Sequence, residues 1–375
     1  MYISEFGGLK RFKEFSDLYQ KKKILLVTGK KSFKSCGAKK ILLKLLNKEN
    51  LTLFNDFSVN PQIEDAIQGA ELARSKNIDL IIAVGGGSVM DMAKLIKAFY
   101  HVKGKEKKLL NQSEELKDSK IPIIAVPTTA GSGSEATHFA VVYIGTEKYS
   151  LAAEFLLPTA VILDGSLTIS GSKYQKTCNV LDAMAQAIES AWATKSTKES
   201  LEYSIESIES GWGTLKDFIK QSCKPEVAQK MIEASNLAGK AINISKTTSP
   251  HAWSYGFTSF FDIPHGHAIW LTLPAIFEVH FRAKKSSVND PRGKKHLSMI
   301  MNLLKEKLNL RNDQDIELQL NDFLSEIGVE SKMENLGVDN INKRESLSNQ
   351  INIERMKNNP VDLDLYKSRI FRLNQ

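Results

Sequence analysis

Asp79-Leu-Ile-Ile-Ala-Val84 runs directly into Gly85-Gly86-Gly87-Ser88-Val-Met-Asp91-Met-Ala-Lys94, and this junction decides the fold. The apolar run before the glycines has no polar interruption, as expected of a strand buried on both faces of a parallel sheet. The residues after the glycines run into a helix. Glycines at such a strand-to-helix turn let the main chain approach a pyrophosphate closely, and the helix N-terminus supplies free N–H groups and positive dipole. The triplet differs from G-x-G-x-x-G and, taken alone, reads equally well as a tight turn. The flanking strand and helix favour phosphate.

The same rhythm extends in both directions. Lys23-Ile-Leu-Leu-Val-Thr28, Leu51 to Phe54 and Ile121 to Val126 read as strands, with helices over Ala38 to Leu46 and Ile63 to Ser75. This βαβα order predicts an open, mostly parallel α/β sheet. Beyond Asp164 the texture becomes helical, over Tyr174 to Thr194, Glu199 to Ile219, Glu226 to Lys246 and Met299 to Leu308. The expected division is a dinucleotide-binding α/β domain at 1–165 and a helical, metal-binding catalytic domain at 166–375. The stretch from Lys284 to Lys295 reads as a loop, and polar Gly337 to Asn349 as a poorly ordered connection.

With 375 residues, 42% of them hydrophobic and 25% charged, the composition is that of a globular protein with room for two cores. No apolar run approaches the ~18 residues of a membrane span. Residues 1–8 lack the layout of a signal peptide, and three scattered cysteines offer no disulfide framework, so a reduced cytoplasmic setting is expected. The net charge of +8 is spread over lysine pairs without interleaved aromatics. That excludes a nucleic-acid surface and leaves a mild attraction for anionic ligands.

Pro127-Thr-Thr-Ala-Gly131-Ser-Gly133-Ser-Glu135 forms a second turn after an apolar strand. Its small hydroxylated residues suit a ribose or carboxamide; the plainer reading is a loop capped by Ser134 or Thr137. Asp182 and Gln186, one helical turn apart, share a helix face. With His251 and His265 they form a mixed N and O donor set for one divalent cation of the Fe²⁺ or Zn²⁺ type.

These motifs resemble the iron-containing (group III) alcohol dehydrogenase family over nearly the whole chain. The residues concerned are Gly-Gly-Gly-Ser-x-x-Asp-x-Ala-Lys at 85–94, Pro-Thr-Thr-x-Gly-x-Gly-Ser-Glu at 127–135, and the His251 to His265-Gly266 spacing. The resemblance implies a Rossmann-like sheet domain and a C-terminal helical domain, the architecture of dehydroquinate synthase, with metal in the cleft between. It implies Asp182, His251 and His265 as metal ligands, with Gln186 in the fourth position, where the family usually has His. An amide oxygen is a weaker ligand than imidazole, so lower metal affinity, or water completing the shell, is expected. Gly86, Gly87 and Ser88 would hold the pyrophosphate, with Gly85 and Asp91 in the same turn. Thr128, Thr129 and Ser132 would face the nicotinamide, Ser134 shares their loop, and Lys148 would lie near the nicotinamide ribose. Gly29, Lys30 and Asn60, after the first strands, complete the expected cofactor set.

Tyr255 stands where many relatives carry a proton-relaying His. It reads equally as a proton donor alongside the catalytic ligands His251 and His265, or as a packing residue between Trp253 and Phe257. His267, two past a metal ligand, reads as a support for the ligands or as structural rather than as a ligand, and His138 as pocket-lining or surface. The pattern at 182–200 and at Phe261-Asp-Ile-Pro-His265-Gly-His267 is similar to the phosphonoacetaldehyde reductase (2-hydroxyethylphosphonate dehydrogenase) branch. That implies reduction of a small anionic aldehyde, a phosphonate, with Lys195 and Lys198 as candidate anion contacts or simply solvated lysines. After the first strand, Val27-Thr28-Gly29-Lys30-Lys31-Ser32 lacks the acid that repels a 2′-phosphate, so NADPH is expected over NADH. Other readings are a different alcohol or sugar-linked aldehyde, a cyclase of the dehydroquinate synthase kind, or a catalytically silent nucleotide binder. The sequence does not give the oligomeric state; the resemblance, to a family whose members often dimerise, some through an N-terminal edge strand, makes Tyr2 to Glu5 the candidate segment for a homodimer.

Overall fold

The computed structural model describes residues 1–110, 115–145, 147–311, 315–349 and 352–373. Two compact units form: Met1–Lys176 with Asp217–Gly239, and Thr177–Lys216 with Lys240–Gln375.

Among the described residues the first unit carries eight strands, β1 Tyr2–Ser4, β2 Ile24–Thr28, β3 Leu51–Phe54, β4 Leu80–Gly85, β5 Ile123–Pro127, β6 Phe139–Ile144, β7 Glu147–Ala152 and β8 Ala160–Leu163. Six make one all-parallel sheet in the order β1-β8-β5-β4-β2-β3, and β6 and β7 form a separate antiparallel hairpin. Every residue of β2, β4 and β5 is buried because both sheet faces are covered. Side chains alternate along each strand. Leu25, Val27, Ile81, Ala83, Ile123 and Ala125 therefore pack with Ala93 and Ile96 on one face. Ile24, Leu26, Ile82, Val84, Ile124 and Val126 meet Leu9, Phe12 and Leu42 on the other. From β2 the chain steps out to β3 and returns to β4 on the opposite side of β2. This reversal sets the carboxyl ends of β2 and β4 side by side (Thr28 opposite Val84), the place where open α/β sheets bind ligands.

The segment Asp217–Gly239 joins this unit through specific bonds. Gln229 accepts from the Gly165 amide at 2.9 Å, Asn236 donates to Glu135 at 2.9 Å, and Ser4 donates to Glu233 at 2.5 Å. Gly133, at φ +58°, lies so close to Gly239 that a Cβ on either would meet the other's main chain within 2.6 Å.

The second unit is helical: Lys198–Gly211, Ser249–Phe261, His265–Trp270, Leu273–Arg282, Gly293–Lys307, Ile316–Glu326, Ile341–Asn349 and Ile353–Lys357, with most of Lys173–Trp192. Three expectations need correction. The single helix over Glu199 to Ile219 is broken after Gly211, where the Thr214 hydroxyl bonds back to the Ser210 and Gly211 carbonyls before a short turn at Leu215–Phe218. The loop expected through Lys295 ends earlier, because a helix starts at Gly293. Arg292 closes that loop on Asp290 and on the Ala193 and Ser196 carbonyls. The connection at Gly337 to Asn349 contains the helix Ile341–Asn349, whose polar appearance hides buried Arg344 and Leu347. The Arg344 guanidinium donates to the Val338 and Arg372 carbonyls and to Glu334, which turns a polar residue into an internal tie. Among the described residues no helix is long and apolar enough to cross a membrane.

Candidate cofactor loops and metal centre

In the first unit Gly86 caps the helix Gly87–Phe99, and Gly86, Gly87 and Ser88 are partly open although the preceding strand is closed. The two loops expected to bind cofactor meet here. The Thr128 amide donates to the Gly85 carbonyl at 2.9 Å, and a Cβ on Gly86 would sit 3.2 Å from Thr129. A Cβ on Gly87 would lie 2.9 Å from the Ser132 hydroxyl. Side chains at 86 and 87 would crowd Thr129 and Ser132, so glycine lets the loops close on each other and still leave main-chain N–H groups available. Ser134 donates to Asp91 at 2.7 Å, and the Ser132 hydroxyl accepts from the Ser134 amide at 3.3 Å.

Lys94, which the motif contains but sequence reasoning did not single out, locks this geometry. Its fully buried ammonium donates to the Ser134 carbonyl and hydroxyl, Thr137 Oγ1 and the Phe139 carbonyl at 2.6–3.2 Å. Burial pushes its pKa down to about 8, against the pull of Asp91 and Glu135. Burial likewise raises the Asp91 carboxyl, opposed by Lys94, Ser134 and Lys148, so Lys148 on β7 acts on the same group. Thr28 Oγ1 and Thr128 Oγ1, at the ends of β2 and β5, are buried without a partner. Buried hydroxyls without a partner at a ligand-binding edge fit a polar ligand such as a dinucleotide. Gly29 adjoins Ser32 and Val89. Lys30 pairs at 2.6 Å with Asp56, a carboxylate that sequence reasoning did not place there. Asn60 is exposed beside Pro61, whose carbonyl accepts from the Tyr143 amide of β6; among the described residues no bond links Asn60 to the glycine turn.

The second unit brings Asp182, His251 and His265 together, with one donor atom from each within 4.8 Å of the others. Asp182, Gln186 and Glu189 lie along one face of Lys173–Trp192 at i, i+4 and i+7. His251 comes from the first turn of Ser249–Phe261, and His265 opens His265–Trp270. The two helices are joined by a turn in which Asp262 adopts φ +52°. Gly266 makes the approach possible: a Cβ there would lie 1.8 Å from the Cys178 carbonyl oxygen.

Glu189 sets the His251 ring. One carboxylate oxygen bonds His251 Nδ1, and the other accepts from the Thr248 amide at 2.7 Å and hydroxyl at 2.9 Å. Trp192 donates to the same hydroxyl at 2.9 Å. The opposite nitrogen, His251 Nε2, therefore faces Asp182 Oδ1 at 3.3 Å. Burial pushes the Asp182 carboxyl up, but hydrogen bonding to His251 and the nearby His265 outweigh it, and its pKa lies below the usual value. Burial lowers His251, yet Glu189 and Asp182 together carry it above the ordinary imidazole value. His265 Nδ1 lies 3.2 Å from the Ser254 hydroxyl, and its ring is edge-on to His251 at 5.3 Å. Two imidazoles and a carboxylate converge here, Asp182 and His251 buried and His265 half-buried, and together they suit an Fe²⁺ or Zn²⁺ ion.

Gln186 is part of this cluster in a particular way. Its Nε2 donates to Asp182 Oδ1 at 3.1 Å, so the amide would have to turn over to offer oxygen to an ion. The Tyr255 ring lies nearly parallel to His265 at 6.0 Å, with the Arg355 guanidinium 5.5 Å from its centre and hydrogen-bonded to it. Burial raises the Tyr255 phenol, and Arg355 opposes the shift. His267 turns away to bond the Glu330 carbonyl at 2.6 Å, and His138 packs edge-on against Phe139. Lys195 pairs with Glu354 and Lys198 with Glu202. Glu189 and Arg355 were not singled out from sequence. The i+7 spacing from Asp182 carried the signal for Glu189; Arg355, 90 residues beyond His265, left none.

The family model "Iron-containing alcohol dehydrogenase" matches residues 1–165, and "Fe-containing alcohol dehydrogenase family, C-terminal" matches 177–364. A phosphonoacetaldehyde reductase of Streptomyces viridochromogenes is 29% identical over 255 residues, 65% of this chain and 64% of that protein. The match thus spans less than two thirds of that relative. An NADPH-dependent butanol dehydrogenase of Clostridium saccharobutylicum is 27% identical over 90% of this chain and 88% of its own. The crystal structure of an iron-containing alcohol dehydrogenase of Thermotoga maritima superposes with a TM-score of 0.81 at 26% identity, covering 100% of this chain and 96% of that one. This chain belongs to the iron-containing alcohol dehydrogenase family of metal-dependent, NAD(P)-linked oxidoreductases.

Proposed function

We propose that the protein reduces a short aldehyde bearing an anionic group, with phosphonoacetaldehyde the leading candidate, and that NADPH is the preferred reductant. The observation that carries the reading is the convergence of Asp182, His251 and His265 in a chain that keeps both glycine-and-hydroxyl loops. When bound, the ion polarises a carbonyl as a Lewis acid and the reduced nicotinamide supplies hydride. Asp182, His251 and His265 would hold the ion, with Gln186 as a fourth contact once its amide reverses. Glu189 keeps the proton on His251 Nδ1, so that Nε2 stays available. Burial holds the Tyr255 phenol protonated, and in this reading it would pass a proton to the product oxygen.

The glycine turn at 85–88 and the helix behind it would take the pyrophosphate, and Thr128, Thr129, Ser132 and Lys148 the nicotinamide half. For the 2′-phosphate the support is a cavity of about 330 Å³ lined by Gly29, Lys30, Lys34, Lys39 and Lys48. Asp56 works against this by pairing with Lys30. Support for a phosphonate comes from the Streptomyces relative and from the net positive charge. The butanol dehydrogenase relative keeps a neutral aldehyde as the second reading.

The test is an aldehyde panel including phosphonoacetaldehyde and butanal, with NADPH or NADH and added Fe²⁺ or Zn²⁺. Metal-dependent oxidation of NADPH with the phosphonate is expected. Turnover confined to butanal would transfer the assignment to neutral alcohols, and kcat/KM favouring NADH by tenfold would overturn the cofactor preference. His265→Ala should abolish turnover while leaving NADPH binding intact; loss of both would assign that residue a purely structural role.

A further inference from the structure

Beside the metal ligands the second unit gathers three positively charged side chains, Lys195, Lys246 and Arg355. Asn358, 1% exposed, is the organiser. Its Oδ1 accepts from Thr194 Oγ1 and the Lys195 amide, both at 3.0 Å, and its Nδ2 donates to the Ser245 carbonyl at 2.8 Å and the Thr247 carbonyl at 3.0 Å. One amide thus ties the ends of helices Lys173–Trp192 and Pro225–Ser245 to Ile353–Lys357. It collects Lys195, Lys246 and Arg355 in one place. Lys246 sits at φ +63°, a left-handed conformation that a non-glycine residue adopts only when its surroundings impose it.

Among the described residues no carboxylate lies within salt-bridge distance of the Arg355 guanidinium. Glu354, the residue before it, pairs instead with Lys195 at 3.8 Å, while Asp182 and Glu189 act on the Tyr255 phenol beneath it. Burial lowers the Lys246 ammonium; Glu354 opposes the shift, and the like charges of Arg355 and Lys195 add to it. Lysines at helix C-termini are explained by the macrodipole. That accounts for Lys195 and Lys246 but not for Arg355, which lies over Tyr255 and so next to His265.

We propose that Arg355, backed by Lys246, binds the oxyanion of the substrate, an anionic group carried about two carbons from the aldehyde. This rests on the aldehyde-reductase reading and deepens it by assigning the residues that choose the substrate class. The guanidinium and the His265 ring are separated by two successive contacts of 5.5 and 6.0 Å through Tyr255. A two-carbon aldehyde ending in a tetrahedral oxyanion, with a ligand contact at each end, spans roughly 10 Å. Arg is suited to this task because its planar fork meets two oxygens of a phosphonate, sulfonate or carboxylate at once.

The experiment compares phosphonoacetaldehyde with 3,3-dimethylbutanal, its uncharged isostere, and with succinic semialdehyde, which carries a planar anion. The metal-loaded wild type is measured against Arg355→Met, Arg355→Lys and Lys246→Met. The readout is the ratio of kcat/KM for the anionic aldehyde to that for the isostere. Arg355→Met should lower the phosphonate ratio about 30- to 100-fold, mainly through KM, since a lost charge-assisted contact leaves the anion unmatched. Arg355→Lys should recover part of it, and Lys246→Met should lower it several-fold. A larger loss for phosphonoacetaldehyde than for succinic semialdehyde assigns the site to tetrahedral anions, and the reverse to carboxylates. Ratios within threefold of wild type in both Arg355→Met and Arg355→Lys would overturn the proposal while leaving the reductase reading intact. If no aldehyde is turned over, the reductase reading fails instead. Calorimetric titration with 2-hydroxyethylphosphonate then decides the anion site, and equal affinity for wild type and Arg355→Met rules it out. Should Arg355→Met not fold, Arg355→Lys and Lys246→Met carry the comparison.

Discussion

Glu189 is not among the ion's own donors, yet the orientation of His251 depends on it. With both oxygens engaged by His251 Nδ1 and by Thr248, it leaves the imidazole one way to face. Partners of this kind typically contribute 10- to 100-fold to metal affinity. Glu189→Gln should therefore weaken Fe²⁺ or Zn²⁺ binding by about that factor, read by metal titration of the purified protein, with far-UV circular dichroism unchanged. At the other site, Asp56 sits against Lys30 and competes with any phosphate for it. Asp56→Asn should shift the NADPH-to-NADH ratio of kcat/KM upward by about threefold to tenfold, the size expected from removing one exposed like charge. An unchanged ratio would mean that Lys30 does not meet the 2′-phosphate.

Packing of elements, rather than chemistry, brings the metal ligands together. The helix carrying His265 can rest on the helix carrying Asp182 only because residue 266 has no side chain. Gly266→Ala should push the two helices apart, costing ~1–3 kcal/mol by overpacking, and should lower metal stoichiometry along with the unfolding midpoint. The sheet was legible because a strand buried on both faces shows as an unbroken apolar run, as in Asp79 to Val84. The β6–β7 hairpin was not, since Glu147, Lys148 and Ser150 interrupt any such signal. The helix Ile341–Asn349 was read as loose for a related reason: Arg344 is buried through main-chain acceptors that no sequence pattern displays. Likewise, Asp182 and Gln186 announce themselves by helical spacing. Arg355 reaches Tyr255 only through the tertiary fold, and pairwise spacing carries no trace of it.

For the molecule as a whole, acid sensitivity follows from His280. Its ring is fully buried against Trp192 at 4.6 Å, and Nε2 accepts from Asn359 at 3.0 Å. Burial pushes its pKa down to about 3 from 6.5. Above pH 6.5 both folded and unfolded chains hold it neutral and its stability contribution is complete. As pH falls from 6.5 towards 3, only the unfolded chain takes up the proton, so stability drops by up to ~1.4 kcal/mol per pH unit from this group. His280→Gln keeps an acceptor for Asn359 and should flatten the acid limb of a plot of unfolding free energy against pH. An unaltered slope would place the titrating group elsewhere. The Gly133–Gly239 contact has an evolutionary corollary. Each missing side chain would strike the opposite residue's backbone, so no change at one position can accommodate a change at the other. In a saturation library both sites should appear frozen individually, and no double replacement should rescue either.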